Sequence, residues 1–403
     1  MQRGRWSVLA VACAALLVTG VAVAATRTSG STQGPAKKAP IIIGAAIDET
    51  NFMSDFNIPA LTAAKIEAAK INAKGGVNGR RIEFLDEDTN LDPGKTKAAA
   101  LDLLGKKADI LWVTCDVDYA TPAVQEAINR GKLAIAPCIG TDQMGPKRFG
   151  SKGKLAFSFG NVAQDEGAAL AKMARNRGYK TAVVVKDKVL YYTQSVCDSF
   201  TSRFKQLGGK ITKEVTFTQG DKTINNVISD VNKTKSSTIA ICTVTQQDLP
   251  TFVSGLRSLG NNTPIISPWS ADGTFWLPKS PKVSNFFVIT FASIYGDDPS
   301  KAVRSLFRSM KAKGKTPTTG SFITGASAVD ALAYAIKKAG STNGAKVASQ
   351  LEKLRNFNTS VGPISFSSKF HTVFGRTYRI IRVTNGKAKD IGVVRAGTPA
   401  NIR

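Results

Sequence analysis

One histidine, His371, stands in the 403 residues, and this narrows the acid–base chemistry open to the chain. A Ser-His-Asp site would have to be built on that imidazole. Its place in a C-terminal stretch of β patterning disfavours a cleft position and favours a structural or exposed side chain. Neither H-E-x-x-H nor G-x-S-x-G occurs. Gly145-Pro146-Lys147-Arg148-Phe149-Gly150-Ser151-Lys152 comes near a phosphate-cradling loop, but Ser and Lys stand in the wrong order and the strand-loop-helix setting is missing. Asp86-Glu87-Asp88 carries enough negative charge for a metal or a proton-transfer site; capping at a strand end explains it more simply. No C-x-x-C pair is present, so zinc ribbons and thioredoxin-like chemistry are disfavoured. The inventory points away from catalysis and from bound cofactors or metals, and an exported amide hydrolase using Cys or Asp is the remaining enzymatic reading.

These residues sit in a chain built for export. Arg3 and Arg5 precede an apolar run from Trp6 to about Val23, and Ala22-Val23-Ala24 is an A-x-A cleavage pattern. The expectation is a signal peptide over residues 1–24, cleaved rather than retained as an anchor, followed by a flexible polar tether over 25–40. Cys13 lies inside the apolar run, which disfavours a lipid attachment. Outside the cytoplasm, the four remaining cysteines (Cys115, Cys138, Cys197 and Cys242) read as disulfides, with three pairings open, or as buried free thiols.

The length calls for two lobes of ordinary size, and 42% hydrophobic residues suffice to fill them. The formal charge is +26, and loss of Arg3 and Arg5 leaves about +24. Such a charge can mean nucleic-acid binding. Here the Lys and Arg residues are spread along the whole chain, and export removes the usual partners. A basic surface facing an anionic envelope is the preferred reading, with no nucleic-acid partner.

The elements that must position any site alternate regularly. Ile41–Ile47, Arg81–Leu85, Ile110–Val113 and Leu133–Ala136 read as strands. Between them Ile58–Asn72, a segment opened by Asp92-Pro93, and Thr121–Arg130 read as helices. The rhythm restarts with helix Gln164–Arg177 and strand Thr181–Val185, and continues through strands Ile211–Phe217, Thr238–Cys242, Ile265-Ile266 and Phe286–Thr290. Helices are expected over Pro299–Ala312, Gly325–Ala339 and Lys346–Leu354. The closing stretch, Ile364–Val394, reads as a β hairpin turning at Asn385-Gly386. Strands separated by helices imply parallel sheets covered on both faces.

Several stretches, in this order, resemble the type I periplasmic binding proteins, in particular the leucine/isoleucine/valine-binding branch. They are Ile41-Ile42-Ile43-Gly44-Ala45, Ile71-Asn72-Ala73-Lys74-Gly75-Gly76-Val77-Asn78-Gly79-Arg80, Asp86-Glu87-Asp88 with Asp92-Pro93, Thr121-Pro122-Ala123, Ile135-Ala136-Pro137 and Val361-Gly362-Pro363-Ile364-Ser365-Phe366. The resemblance implies an α/β fold of two Rossmann-like lobes joined by three crossings. These are expected near Phe157–Asn161, Phe287–Tyr295 and Val361–Phe366. Lobe 1 would take residues 41–158 and 291–361, and lobe 2 residues 159–290 and 362–403. A ligand would lie between the lobes at the carboxyl ends of the strands. The implied site holds Asn51, Phe52, Asp116, Tyr119 and Thr141 on one wall, and Tyr191, Tyr192, Gln246, Asp248, Trp269 and Asp272 on the other. Asp116 stands where the family places a small hydroxyl residue, so it either faces the ligand or caps the helix after it. If it faces the ligand, an amide, amine or neutral solute gains ground over an α-carboxylate. Asp248 likewise either meets a ligand ammonium or caps its helix. Cys115 and Cys138 would bridge beneath the first wall, and Cys197 would then pair with Cys242. The implied function is that of a monomeric extracytoplasmic solute-binding protein, which closes on a small polar molecule and delivers it to an ABC permease. The alternative is a ligand-sensing receptor subunit for a signalling partner.

Overall fold

Short runs of Ile, Val and Ala bounded by turn residues form the strands of this protein, and the longer segments between them form the covering helices. The computed structural model describes residues 38–245 and 248–397. The expected signal segment 1–24, the tether up to residue 37, Cys13 and Gln246 lie outside the described residues.

In chain order the elements are β1 (Ile41–Ile47), α1 (Ser54–Ala73), β2 (Ile82–Asp88), α2 (Pro93–Gly105), β3 (Ile110–Val113), α3 (Val117–Asn129), β4 (Leu133–Ala136), α4 (Pro146–Phe149) and β5 (Ala156–Asn161). The second series is α5 (Ala163–Asn176), β6 (Thr181–Asp187), α6 (Tyr191–Gln206), β7 (Lys210–Phe217), α7 (Ile224–Asn232), β8 (Thr238–Cys242), α8 (Asp248–Ser258), β9 (Ile265–Ser267) and β10 (Phe286–Thr290). The chain then adds α9 (Lys301–Ala312), α10 (Phe322–Ala339), α11 (Gly344–Leu351), β11 (Phe357–Thr359), β12 (Gly362–Ile364), β13 (Thr372–Val373), β14 (Thr377–Thr384) and β15 (Lys387–Arg395).

Two sheets carry the lobes. The first runs β13-β5-β4-β3-β1-β2, with every pairing parallel. The second runs β15-β14-β10-β9-β8-β6-β7; its core is parallel, and the hairpin β14–β15 adds antiparallel at one edge. Asn385 and Gly386 turn that hairpin with φ of 51° and 74°, both in the left-handed region that a two-residue turn of this kind requires. Both faces of each parallel sheet are buried. In the first lobe, Ile41, Ile43, Trp112 and Phe157 pack under α1 and α10, and Leu111, Val113 and Ala134 pack under α2 and α3. At Gly325, α10 approaches α1 so closely that a Cβ would stand 1.8 Å from the carbonyl oxygen of Ala60.

Two helices start four residues earlier than periodicity suggests, and carboxylates explain both. Asp48 accepts from the amides of Thr50, Asn51 and Met53 at 3.3, 2.9 and 3.0 Å, so α1 begins at Ser54. Asp116 caps α3, which begins at Val117. Asp92 caps α2 from Lys95 at 2.7 Å with Pro93 following, as its dipeptide implies.

The chain crosses between sheets after β5 and after β10. The third crossing lies at residues 374–376, later than Val361–Phe366, because β13 still pairs with β5 in the first sheet. Phe366 is buried edge-on against Phe157 and Phe159, with centroids 5.4 and 5.1 Å away, so residues 362–373 pack with the first lobe. His371 is a buried structural residue. It stacks on Phe157 at 4.1 Å and bonds the Ala156 carbonyl and Glu352, and burial holds its pKa below the usual value.

Candidate functional site

The carboxyl ends of both sheets meet across a small cavity of about 20 Å³. From the first lobe it is lined by Met53 and Phe56 after β1, Cys115 and Asp116 after β3, and Gly140 after β4. From the second it is lined by Leu190 and Tyr192 after β6, Val244 after β8, and Trp269 and Ser270 after β9. A cavity of that size holds about one water molecule. The walls of the two lobes stand in contact there, Phe56 against Trp269.

A disulfide braces each wall. Cys115 is bonded to Cys138 with Cα atoms 4.8 Å apart, and Cys197 to Cys242 with Cα atoms 5.8 Å apart. The first bond ties the ends of β3 and β4; the second ties α6 to β8. Neither joins one lobe to the other.

Asp116 caps its helix and also borders the cavity. Its Oδ1 accepts from the amides of Asp118 and Tyr119 at 2.8 and 3.4 Å, capping α3. Oδ2 makes no hydrogen bond among the described residues, and the side chain borders the cavity. Burial, with the charge of Asp118 adding, pushes its pKa up to about 7. Across the cavity the Trp269 ring meets Phe56 edge-on at 5.0 Å and Tyr192 at 5.9 Å. The indole Nε1 is buried and has no hydrogen-bond partner among the described residues.

Behind this aromatic wall sits Glu166, in the first turn of α5. Its Oε1 accepts from the Trp269 amide at 2.7 Å and its Oε2 from the Tyr192 hydroxyl at 2.9 Å. Burial pushes its pKa up to about 8 against those two hydrogen bonds. The fully enclosed carboxyl thus ties the Tyr192 hydroxyl to the backbone of Trp269.

The remaining expected residues spread outward. Phe52 and Tyr119 pair edge-on at 5.9 Å, both partly buried. Asn51 is exposed on the Asp48 turn. Thr141 is buried, and its carbonyl accepts from Thr372 at 2.6 Å. Tyr191 is exposed, and its amide donates to Asp118 across the lobes at 3.2 Å. A second cross-lobe bond runs from Gln164 Nε2 to Asp142 Oδ2 at 2.9 Å. Asp248 is turned to the Gly220 amide at 2.7 Å, and Asp272 to Thr290 and the Gly320 amide, both at 2.6 Å. Burial raises Asp272 to about 6. So Asp116, Tyr192 and Trp269 come together at the cavity, while Asn51, Asp248 and Asp272 do not border it.

Phe56 and Glu166 were not among the sequence candidates. An acid directly before Gly167-Ala168-Ala169-Leu170-Ala171 is the signal that would have marked Glu166 as buried. Among the described residues, no Lys or Arg lines the cavity, no cluster of three His, Cys, Asp or Glu is placed to hold a metal, and no helix is long and apolar enough to cross a membrane.

A family model described as periplasmic binding protein matches residues 40–388. The leucine-, isoleucine-, valine-, threonine-, and alanine-binding protein of Pseudomonas aeruginosa is 24% identical over 302 residues, covering 74% of this chain and 78% of the relative. Leu/Ile/Val-binding protein homolog 2 of Brucella abortus is 23% identical over 368 residues, covering 88% and 92%. Among solved structures, the branched-chain amino acid transporter substrate binding protein LivJ from Streptococcus pneumoniae, in complex with isoleucine, superimposes with a TM-score of 0.77 at 20% identity, covering 88% of this chain and 99% of that one. A solute binding protein of an ABC transporter from R. palustris, in complex with benzoate, gives 0.72 at 18%, covering 88% and 96%. These solved proteins share the fold with this chain.

Proposed function

We propose, from the premise that the chain belongs to the periplasmic binding protein family, that it captures a small polar solute between its lobes outside the cytoplasm and hands it to an ABC importer. The observation that carries this reading is the small cavity where the strand ends of both sheets converge, with opposite hydrogen-bonding needs on its two walls. Asp116 Oδ2 needs a donor and Trp269 Nε1 needs an acceptor. A solute carrying both, with an apolar part for Phe56 and Tyr192, satisfies them together. Amino acids, amides and related compounds have that form. The relatives named for leucine, isoleucine and valine support the amino-acid end of this range, and the lack of a lining cation among the described residues supports the amide and amine end.

Closure follows from the same contacts. A solute touching both walls binds an arrangement closed around it, with the walls further apart than this cavity leaves them, better than the open one, and shifts the population towards it. The permease then reads the closed surface.

The test is thermal melting of the mature protein against amino acids, amides, ureas, polyamines and short-chain acids. A saturable rise with one class is expected, since a ligand stabilises the native state by mass action. A rise that Asp116→Ala and Trp269→Phe both leave unchanged would refute the cleft assignment.

A further inference from the structure

A second cavity, of about 270 Å³, opens beside the second and third crossings, and the solute-capture reading makes no use of it. Phe291 and the segment Phe374–Thr377 form its inner side. Ser300 and Ser365 contribute from the first lobe, and Arg379 and Arg395 from the second. Its charged lining residues are three arginines, Arg376, Arg379 and Arg395, and one carboxylate, Asp298.

Their states differ in an instructive way. Asp298 is already engaged by the amides of Ser293 and Ser300 at 2.9 and 2.8 Å. Arg379 is held by Asp390, with Nε at 2.6 Å and Nη2 at 2.5 Å. Arg376 has no such partner. Its side chain is buried, with 7% of the residue exposed, and Nη2 donates to the Phe159 carbonyl at 3.2 Å. Its Nε and Nη1 make no hydrogen bond among the described residues, and its guanidinium lies 5.3 Å from the centre of the Phe291 ring. A guanidinium stays protonated in proteins. Burying it without an anion is costly unless a partner of opposite charge arrives. Burial lowers its pKa to about 10, which still leaves it charged at neutral pH. Arg395 is exposed and makes no hydrogen bond or ion pair among the described residues; its charge acts on the buried Asp165, which accepts from the Gly375 amide.

We propose that this hinge-side cavity is a binding site for a small oxyanion, received by Arg376 and Arg395. Guanidinium forks match the paired oxygens of phosphate and carboxylate groups. The serine hydroxyls of Ser300 and Ser365 add donors from the opposite lobe. An anion seated there touches both lobes, so it stabilises this lobe arrangement and is linked to the cleft by a shared equilibrium.

The experiment titrates the mature protein with potassium phosphate, and separately with potassium malonate, against potassium chloride at equal ionic strength, and follows melting. A saturable rise of about 2–3 °C at twentyfold over half-saturation is expected with one or both anions. Phosphate alone marks an inorganic or phosphoryl ligand, and malonate alone marks an organic carboxylate. Arg395→Gln, a surface change that leaves the fold in place, is expected to raise the half-saturating concentration at least fivefold. Arg376→Gln is expected to abolish the rise. No saturable rise with either anion, or the same rise in Arg395→Gln as in the wild type, overturns the proposal. The melting shift given by the cleft solute is expected to persist in Arg395→Gln, so the two sites succeed or fail separately.

Discussion

Replacing Gly140 by alanine would test whether closure depends on the packing seen between the lobes. A Cβ at this position would stand 2.7 and 2.8 Å from Cε2 and Cδ2 of Tyr192. Carbon atoms in comfortable contact sit about 3.5–4.0 Å apart, so the overlap is close to an ångström. The ring has nowhere to go: its hydroxyl is held by Glu166 and its edge meets Trp269. Gly140 belongs to the first lobe and Tyr192 to the second, so separating the lobes relieves the clash without disturbing either one. Overpacking of this kind costs about 1–3 kcal/mol. Set against the closed arrangement alone, that lowers the closed-to-open ratio by about 5- to 150-fold, and the affinity for the cleft solute by up to the same factor. Calorimetric titration with the solute found by melting reads the affinity, and small-angle scattering of the ligand-free protein reads the lobe separation. Melting without ligand is expected to stay near the wild-type value. Adding Tyr192→Ala should restore closure, and the double-mutant cycle isolates the contact. Wild-type affinity and an unchanged scattering radius in Gly140→Ala would refute the reasoning, as would a ligand-free melting point depressed by many degrees.

Glu166 sets a pH dependence. Its folded pKa of about 8 lies above its ordinary 4.5, so the folded state holds the proton more tightly and stability falls as pH rises from about 4.5 through about 8. The difference is worth up to about 5 kcal/mol for a fully enclosed group, and Asp116 adds in the same direction up to about 7. Melting of Glu166→Gln from pH 5 to 9 should show a clearly flatter decline, and an unchanged slope would exclude Glu166 as its source. Each disulfide closes a loop, with sequence separations of 23 and 45, and is expected to contribute about 3–4 kcal/mol; reduction should lower the melting temperature, and denatured unreduced mature protein should give no free thiol. Trp269→Phe keeps a ring in the wall and removes an N–H that has no partner among the described residues, so solute affinity should fall about 2- to 12-fold while ligand-free stability holds or rises. Equal losses of affinity and stability would mean that the indole N–H is structural.

The strands were readable because a parallel strand covered on both faces is an unbroken apolar run, and Ile41–Ile47 falls on its observed limits. Helix starts were less so. Asp48 and Asp116 act through the path of a loop, which places their oxygens on amides two to five residues ahead, and periodicity carries no record of that path. The third crossing shifted for a similar reason: Ile364 and Phe366 are apolar enough for either lobe, and only the pairing of β13 with β5 decides between them. At the site, Asp116, Tyr192 and Trp269 were legible as polar or aromatic residues just past strand ends. Asp248 and Asp272 have the same signature, yet their carboxylates are engaged by backbone amides of Gly220 and Gly320. A short acid after a strand serves either purpose, and neighbouring residues do not distinguish them. The burial of Glu166 had a local signal, but its role did not, because its partners lie 26 and 103 residues away, at Tyr192 and Trp269.

The interleaving of the lobes also sets the order in which the molecule can be completed. The apolar side of α1, with Leu61, Ala64 and Ala68, is covered by Ala328 and Leu332 of α10, and the whole parallel core of the other lobe is translated between the two helices. The edge strand β13 and the hairpin β14–β15 come last of all, one finishing each sheet. A ribosome that has made three quarters of this protein has finished neither half. Contacts of such long sequence separation form slowly, and the uncovered faces are prone to association while they wait. The growing chain therefore has reason to depend on a holding partner until its last residues have been synthesised.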